Sequence, residues 1–286
     1  MPTLINGQAA DTVAAADRGL NYGDGLFETI AVVDRRPLLW EPHLQRLLHG
    51  ARALGLPPPD PGLLEAEALQ LAATAAPHAV LRIVLTAGSG GRGYARPEQT
   101  LCNRILGLHP MPTYPAAHWR EGVAVTVCRT RLALQPDLAG IKHCNRLEQV
   151  LARREWTAPG YAEGLVCDMK GRLAEGTMSN VFAVRGGELL TPGLLECGVH
   201  GVMRDTVMGL AAAAGMRVTL LDAPLQDWLD GDELFLTNCI IGLWPVHRVG
   251  DRRYPPGPLT RDLHGRLLEG GFAPPLSAIA GLAVTG

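Results

Sequence analysis

The stretch Gly164-Leu165-Val166-Cys167-Asp168-Met169-Lys170-Gly171-Arg172-Leu173-Ala174-Glu175-Gly176-Thr177-Met178-Ser179-Asn180-Val181-Phe182-Ala183-Val184 carries the fold. Residues 164–167 are short and apolar and read as a strand. Residues 168–171 have turn chemistry, and residues 172–175 run back as a hairpin partner. Residues 180–184 are β-rich again. Strands joined by a tight turn pair antiparallel, so the chain is expected to be α+β rather than a regular strand–helix alternation.

Working outward, residues 188–191, 217–221, 233–237 and 244–247 read as strands, and residues 202–214 and 259–269 as helices. Upstream, a helix is expected over 145–156 and a strand over 123–127, with an irregular stretch to Gly140. The proline-rich residues 110–115 break the pattern and mark a domain boundary. The expected division is an N-terminal α/β domain, 1–112, and a C-terminal domain, 113–286. Within the first, strands are expected at 3–6, 26–33, 37–40, 80–86 and 101–108. Residues 17–25 read as a loop. Helices are expected at 41–54, where Leu44, Leu47, Leu48 and Ala51 repeat at helical spacing, and at 62–75.

Composition narrows the classes. The 286 residues carry a net charge of −2, which asks for neither nucleic acid nor an acidic membrane surface. No run of eighteen apolar residues occurs, and the first residues lack a basic n-region, so neither a membrane span nor a signal peptide is expected and the location reads as cytoplasmic. The six cysteines (Cys102, Cys128, Cys144, Cys167, Cys197, Cys239) are scattered, without metal spacing, and read as reduced thiols. No GKS or GKT sequence is present.

Of the 26 basic residues only two are lysines, Lys142 and Lys170. Arg stays protonated, so any chemistry that needs a neutral amine must use one of these two. Lys170 sits in the 168–171 turn and reads as a surface residue. Lys142 lies between Gly140-Ile141 and His143-Cys144-Asn145, just ahead of a helix, where desolvation can turn an amine into a nucleophile and base. Glu175 ends a strand beside Gly176; a carboxylate there suits a protonated pyridine nitrogen, although in isolation an N-cap or turn acid is the better reading. Arg46 flanks the apolar stripe of its helix. Gly201-Val202-Met203-Arg204 opens a helix whose N–H groups suit a phosphate, and Thr237-Asn238-Cys239-Ile240 follows a strand and could add more.

Several ordered motifs resemble the fold-type IV pyridoxal-phosphate (PLP) enzymes, nearly end to end. They are DRGLNYGDGLFETI (17–30), HLQRL (43–47), Lys142 with Asn145 and Arg146, EGTMSNVF (175–182), the segment from Thr191 to Asp205 that ends in GVMRD, and TNCIIGLWPV (237–246). Within that group, SGGRGY (89–94) and LAGIKHCNRLEQVLAR (138–153) are most similar to the 4-amino-4-deoxychorismate lyases. The resemblance implies a two-domain D-amino acid aminotransferase-like fold, PLP as cofactor on a Schiff base with Lys142, and release of 4-aminobenzoate and pyruvate in folate biosynthesis. It implies Glu175 at the ring nitrogen and Arg46 at the phosphate, with Val202, Met203, Asn238, Cys239 and Ile240. Arg104, and after it Arg92, would clamp a substrate carboxylate. A homodimer is implied, with no metal, nucleic acid or membrane partner. The rival readings are a D-amino acid or branched-chain aminotransferase and a non-catalytic binding protein of the same fold.

Overall fold

In a computed structural model of the chain, residues 2–157 and 160–281 are described. The chain divides into two compact units, Met1–Pro112 with Ile141–Asn145, and Thr113–Gly140 with Arg146–Gly286. Both mix helices and sheet, as the sequence predicts for an α+β chain.

The first unit is built on strands β1 (Thr3–Ile5), β2 (Gln8–Ala9), β3 (Gly25–Val33), β4 (Arg36–Pro37), β5 (His78–Thr86) and β6 (Asn103–Pro110). They form an antiparallel sheet in the order β2-β1-β6-β5-β3-β4. Side chains alternate between its faces. Leu26, Ile30, Leu81, Ile83, Leu85 and Leu106 share one face and are buried with Leu44, Leu47, Leu64 and Leu71. The last four lie on helices α2 (Trp40–Ala53) and α3 (Pro61–Ala73). The pairings Phe27↔Val84, Thr29↔Arg82 and Val84↔Ile105 set those five residues on the opposite face, where each is half-buried or exposed.

Local chemistry corrects the sequence reading in two places. Residues 17–25 are not all loop: Asp17 accepts from the amides of Gly19 and Leu20 and starts a short helix, α1 (Arg18–Tyr22), which Gly23 ends in the left-handed region. The expected strand over 37–40 stops at Pro37, because α2 already begins at Trp40. Residues 88–93 spell G-x-G-x-x-G after a strand, but the chain returns as β6 and no helix N-terminus follows, so the loop is not a dinucleotide-binding turn.

The second unit contains β7 (Tyr114–Pro115), α4 (Ala117–Arg120), β8 (Val123–Leu132), α5 (Leu147–Arg153), β9 (Glu163–Asp168), β10 (Leu173–Gly176), β11 (Asn180–Arg185) and β12 (Glu188–Thr191). It continues with α6 (Val202–Ala213), β13 (Val218–Leu220), α7 (Leu225–Leu229), β14 (Glu233–Asn238), β15 (Gly242–Val249), β16 (Arg252–Arg253), α8 (Pro258–Glu269), α9 (Leu276–Ile279) and β17 (Ala280–Gly281). A large mixed sheet runs β10-β9-β8-β15-β14-β11-β12-β13. The 164–175 hairpin is present, with Leu173 opposite Cys167. Every residue of β9 and β10 is buried, which positions Glu175 inside the unit rather than on a surface turn. Gly164 has no substitute here: a Cβ would lie 2.6 Å from the Trp156 ring and from Cys128 Sγ.

Candidate active site

Lys142 lies in the excursion Ile141–Asn145, which runs along the start of β3. The Phe27 amide donates to the Lys142 carbonyl at 3.0 Å, and the Cys144 amide to the Gly25 carbonyl at 2.9 Å. Leu26 faces His143 across this bridge. The backbone of Lys142 is thus held on both sides by the sheet. Its Nζ lies 4.5 Å from the centre of the Phe27 ring, within the range of a cation–π contact. Lys170, by contrast, is exposed, and its Nζ is 2.8 Å from Glu196 Oε1.

Arg46 projects from α2 to Glu28 of β3. Its Nε donates to Glu28 Oε1 at 2.9 Å, and Nη2 donates to Oε2. His43 Nδ1 lies 2.7 Å from Oε2. Burial alone would raise the Glu28 carboxyl, but the Arg46 charge and the hydrogen bonds from His43 and Arg46 outweigh it and hold it down at about 2. Glu28 therefore stays ionised and fixes one edge of the guanidinium.

Glu175 is 5% exposed. Its Oε2 accepts from the Val199 amide at 2.9 Å and its Oε1 from Gln149 Nε2 at 3.2 Å. The same segment leads into α6. Asn180 Nδ2 donates to the Val199 carbonyl at 2.8 Å. The Gly140 amide donates to the Gly198 carbonyl, and the His200 amide to the Gly140 carbonyl, each at 3.0 Å. Gly140 has φ +76°, and a Cβ there would sit 2.8 Å from His200 Nδ1. Helix α6 starts at Val202 with Gly201 as N-cap and no side-chain cap, so the Val202 and Met203 amides belong to an N-terminus that its own side chains do not close.

The other expected phosphate donors are placed differently. Asn238 Oδ1 accepts from the amides of Ile240 and Ile241, at 2.8 and 2.9 Å, while its Nδ2 donates to the Met178 carbonyl. The Ile240 N–H is thus spent inside the turn.

Four arginines near the first unit's sheet differ in what they touch. Arg104 lies on the helix-covered side, where Nε and Nη2 donate to Glu67 at 3.0 and 2.7 Å. That guanidinium is already matched to a carboxylate. Arg92 is exposed in the glycine-rich loop. Arg18 holds that loop, donating to the carbonyls of Gly90, Gly93, Tyr94 and Ala95. Arg82, which the sequence reading did not single out, lies on the open face with its guanidinium carbon 4.5 Å from the centre of the same Phe27 ring that Lys142 approaches. The alternation in His78-Ala79-Val80-Leu81-Arg82-Ile83-Val84 was the available signal: Leu81 and Ile83 point one way and Arg82 the other. Gln149 was missed because it lies inside an expected helix among charged and apolar neighbours.

Among the described residues no cluster of three or more His, Cys, Asp or Glu could hold a metal ion. No helix among them is long and apolar enough to cross a membrane.

The family model described as amino-transferase class IV matches residues 25–249. An aminodeoxychorismate lyase of Vibrio harveyi is 35% identical over 273 residues, covering 92% of this chain and 98% of that protein. A putative branched-chain-amino-acid aminotransferase of Methanocaldococcus jannaschii is 30% identical, covering 88% of this chain and 89% of that one. Among solved structures, the 4-amino-4-deoxychorismate lyase of Pseudomonas aeruginosa superposes with a TM-score of 0.91 at 44% identity, covering 94% of this chain and 99% of that one. A hypothetical Mycobacterium tuberculosis aminotransferase in its PLP-bound form, 23% identical with a TM-score of 0.80, covers 95% of this chain and 99% of its own and shares the fold.

Proposed function

Because this chain belongs to the class IV amino-transferase family, we propose that it is a PLP-dependent 4-amino-4-deoxychorismate lyase, releasing 4-aminobenzoate and pyruvate for folate biosynthesis. The observation that carries this reading is its likeness, along nearly the whole chain, to the Pseudomonas aeruginosa lyase. The residues present suit the cofactor. They offer one amine whose backbone is fixed, Lys142, and one buried carboxylate held by two N–H donors, Glu175. They also offer a guanidinium, Arg46, and the uncapped start of α6.

The roles we propose follow from those properties. PLP, when bound, supplies an electron sink for the charge left at the amine-bearing carbon. Lys142 anchors it through Nζ. With the cofactor and substrate in place, Lys142 Nζ would take the proton from that carbon as general base. Glu175 holds a proton at the ring nitrogen. Arg46, Val202, Met203 and Cys239 bind the phosphate, with Glu28 fixing the orientation of the Arg46 guanidinium; Asn238 and Ile240 shape the turn around Cys239. Loss of the enolpyruvyl group makes the substrate ring aromatic, so Lys142 has chiefly to place the proton. For the substrate carboxylate we propose Arg82 rather than Arg104, because Glu67 already occupies Arg104; Arg92 is the second candidate.

The domain division we propose follows the expected 1–112 and 113–286, with the Lys142 segment packed in the first unit. A homodimer is supported by α5, whose outward residues Leu147, Val150 and Leu151 are apolar and exposed. A cytoplasmic location is proposed from the sequence alone. Purified protein should be given 4-amino-4-deoxychorismate and 4-aminobenzoate followed by liquid chromatography; absence of both aromatic product and pyruvate would sink the lyase reading. Nitrogen transfer from an amino acid to 2-oxoglutarate, as strong as or stronger than lyase turnover, would support the aminotransferase reading suggested by the Methanocaldococcus jannaschii relative.

A further inference from the structure

Helix α5 is turned inside out. Its exposed side carries Leu147, Val150 and Leu151, while Gln149 lies on the side that Ala152 buries. A polar side chain turned inward needs a reason, since every polar atom it buries must be satisfied or costs stability. Gln149 Nε2 donates to Glu175 Oε1 at 3.2 Å. Its own Oε1 is buried without a hydrogen-bond partner. The amide therefore gives up satisfaction of its oxygen to keep its N–H on the carboxylate. Flipped over, it would set that oxygen against a negative charge, so the charge of Glu175 decides the orientation.

The helix is held in place to do this. Glu148 Oε1 accepts from the Ala133 amide at 2.7 Å, and Glu155, just past the helix, accepts from the Arg129 and Thr130 amides at 2.6 and 2.7 Å. Both acids tie α5 to the end of β8, on either side of Gln149 in sequence. Opposite, the Val199 amide donates to Glu175 Oε2, and Asn180 holds the Val199 carbonyl.

We propose that Gln149 is a positioning residue for Glu175. It fixes the rotation of the carboxylate from the Oε1 side, as the Val199 N–H does from the Oε2 side, and so sets the line along which Glu175 meets the cofactor's ring nitrogen. This rests on the reading of Glu175 given above.

The test is a double-mutant cycle of Gln149→Leu and Glu175→Gln. It reads PLP affinity by titrating cofactor-free protein, the absorbance spectrum of the bound cofactor against pH, and kcat apart from KM. Gln149→Leu should weaken PLP binding and lower kcat by roughly tenfold, the usual worth of a hydrogen bond to a charged group, with KM little moved. In the Glu175→Gln background the same change should cost no more than about threefold, because the charge that strengthens this hydrogen bond is gone and only a neutral one is left to lose. Gln149→Met, run in parallel, carries the same expectation should the leucine variant not fold. Equal losses in both backgrounds would show a packing role and overturn the proposal, as would no loss in the parent. A Glu175→Gln variant with unaltered spectrum and kcat would instead overturn the reading of Glu175 itself.

Discussion

The two faces of the first unit's sheet use the same strands for opposite ends. On the covered face, Leu26, Ile30, Leu81, Ile83 and Leu106 meet the helices, and its charged groups are internally matched: Glu28 to Arg46 and His43, Arg104 to Glu67. On the open face, Phe27 is approached by two cationic side chains, Lys142 and Arg82. The β3 register couples them, since Phe27 and Glu28 are neighbours pointing opposite ways. Of the two strand arginines, Arg104 is neutralised within the fold and serves stability, while Arg82 is turned outward onto the ring and is available to a ligand. An arginine's worth as a ligand therefore depends on which face its strand position assigns it.

The contrast is most easily broken at Lys142. Lys142→Ala should abolish 4-aminobenzoate formation, by more than about a thousandfold given the double role of anchor and base, and remove the visible absorbance of bound cofactor. Thermal unfolding of the cofactor-free protein should barely move. Activity near that of the parent would refute the assignment.

On the covered face the expectation inverts. Leu81 is fully buried, and Leu81→Ala should lower unfolding free energy by about 2–5 kcal/mol, measured by denaturant titration, while kcat of the protein that remains folded is retained.

Glu28 gives the covered face a pH signature. Its folded carboxyl is held at about 2 against an ordinary value of 4.5. A depressed carboxyl stabilises the fold fully above the ordinary value and loses that contribution as pH falls from 4.5 through about 2. The amount at stake is about 3 kcal/mol. Glu28→Gln should flatten that part of the acid-unfolding curve; an unchanged slope would show that the network does not hold Glu28 ionised.

The smallest effects sharpen the contrast between the arginines. Arg82→Gln should raise KM roughly tenfold, the scale of one lost charge-assisted contact, with stability nearly unchanged. Arg104→Gln should leave KM alone and cost about 1–2 kcal/mol of stability, since the buried Glu67 carboxylate exchanges a guanidinium for a neutral amide donor. If Arg104 raised KM and Arg82 did not, the assignment of the two faces to their tasks would be reversed.

Much of this was legible in the chain. Periodicity gave α2, α3, α6 and the hairpin 164–175, because amphipathic helices and tight turns are local. Two lysines in 286 residues made Lys142 visible, and a turn made Lys170 dismissible. What was hidden is non-local. Nothing in residues 101–108 announces that Arg104 pairs with Glu67, thirty-seven positions earlier and on another element. Arg82 was overlooked although its alternation was readable, since only the Phe27 ring gives it a neighbour worth having. Ile240 seemed an available donor until the Asn238 side chain closed the turn on it. Gln149 had no local signal, because its partner Glu175 lies across the second unit's hairpin.

The outward stripe of α5 has a consequence for how the protein must be handled. If a second copy covers Leu147, Val150 and Leu151, as the proposed homodimer requires, folding and association become one equilibrium. The unfolding temperature then rises with total protein concentration, and dilution is a denaturant. Any comparison of variants made at unequal concentrations would mistake mass action for chemistry.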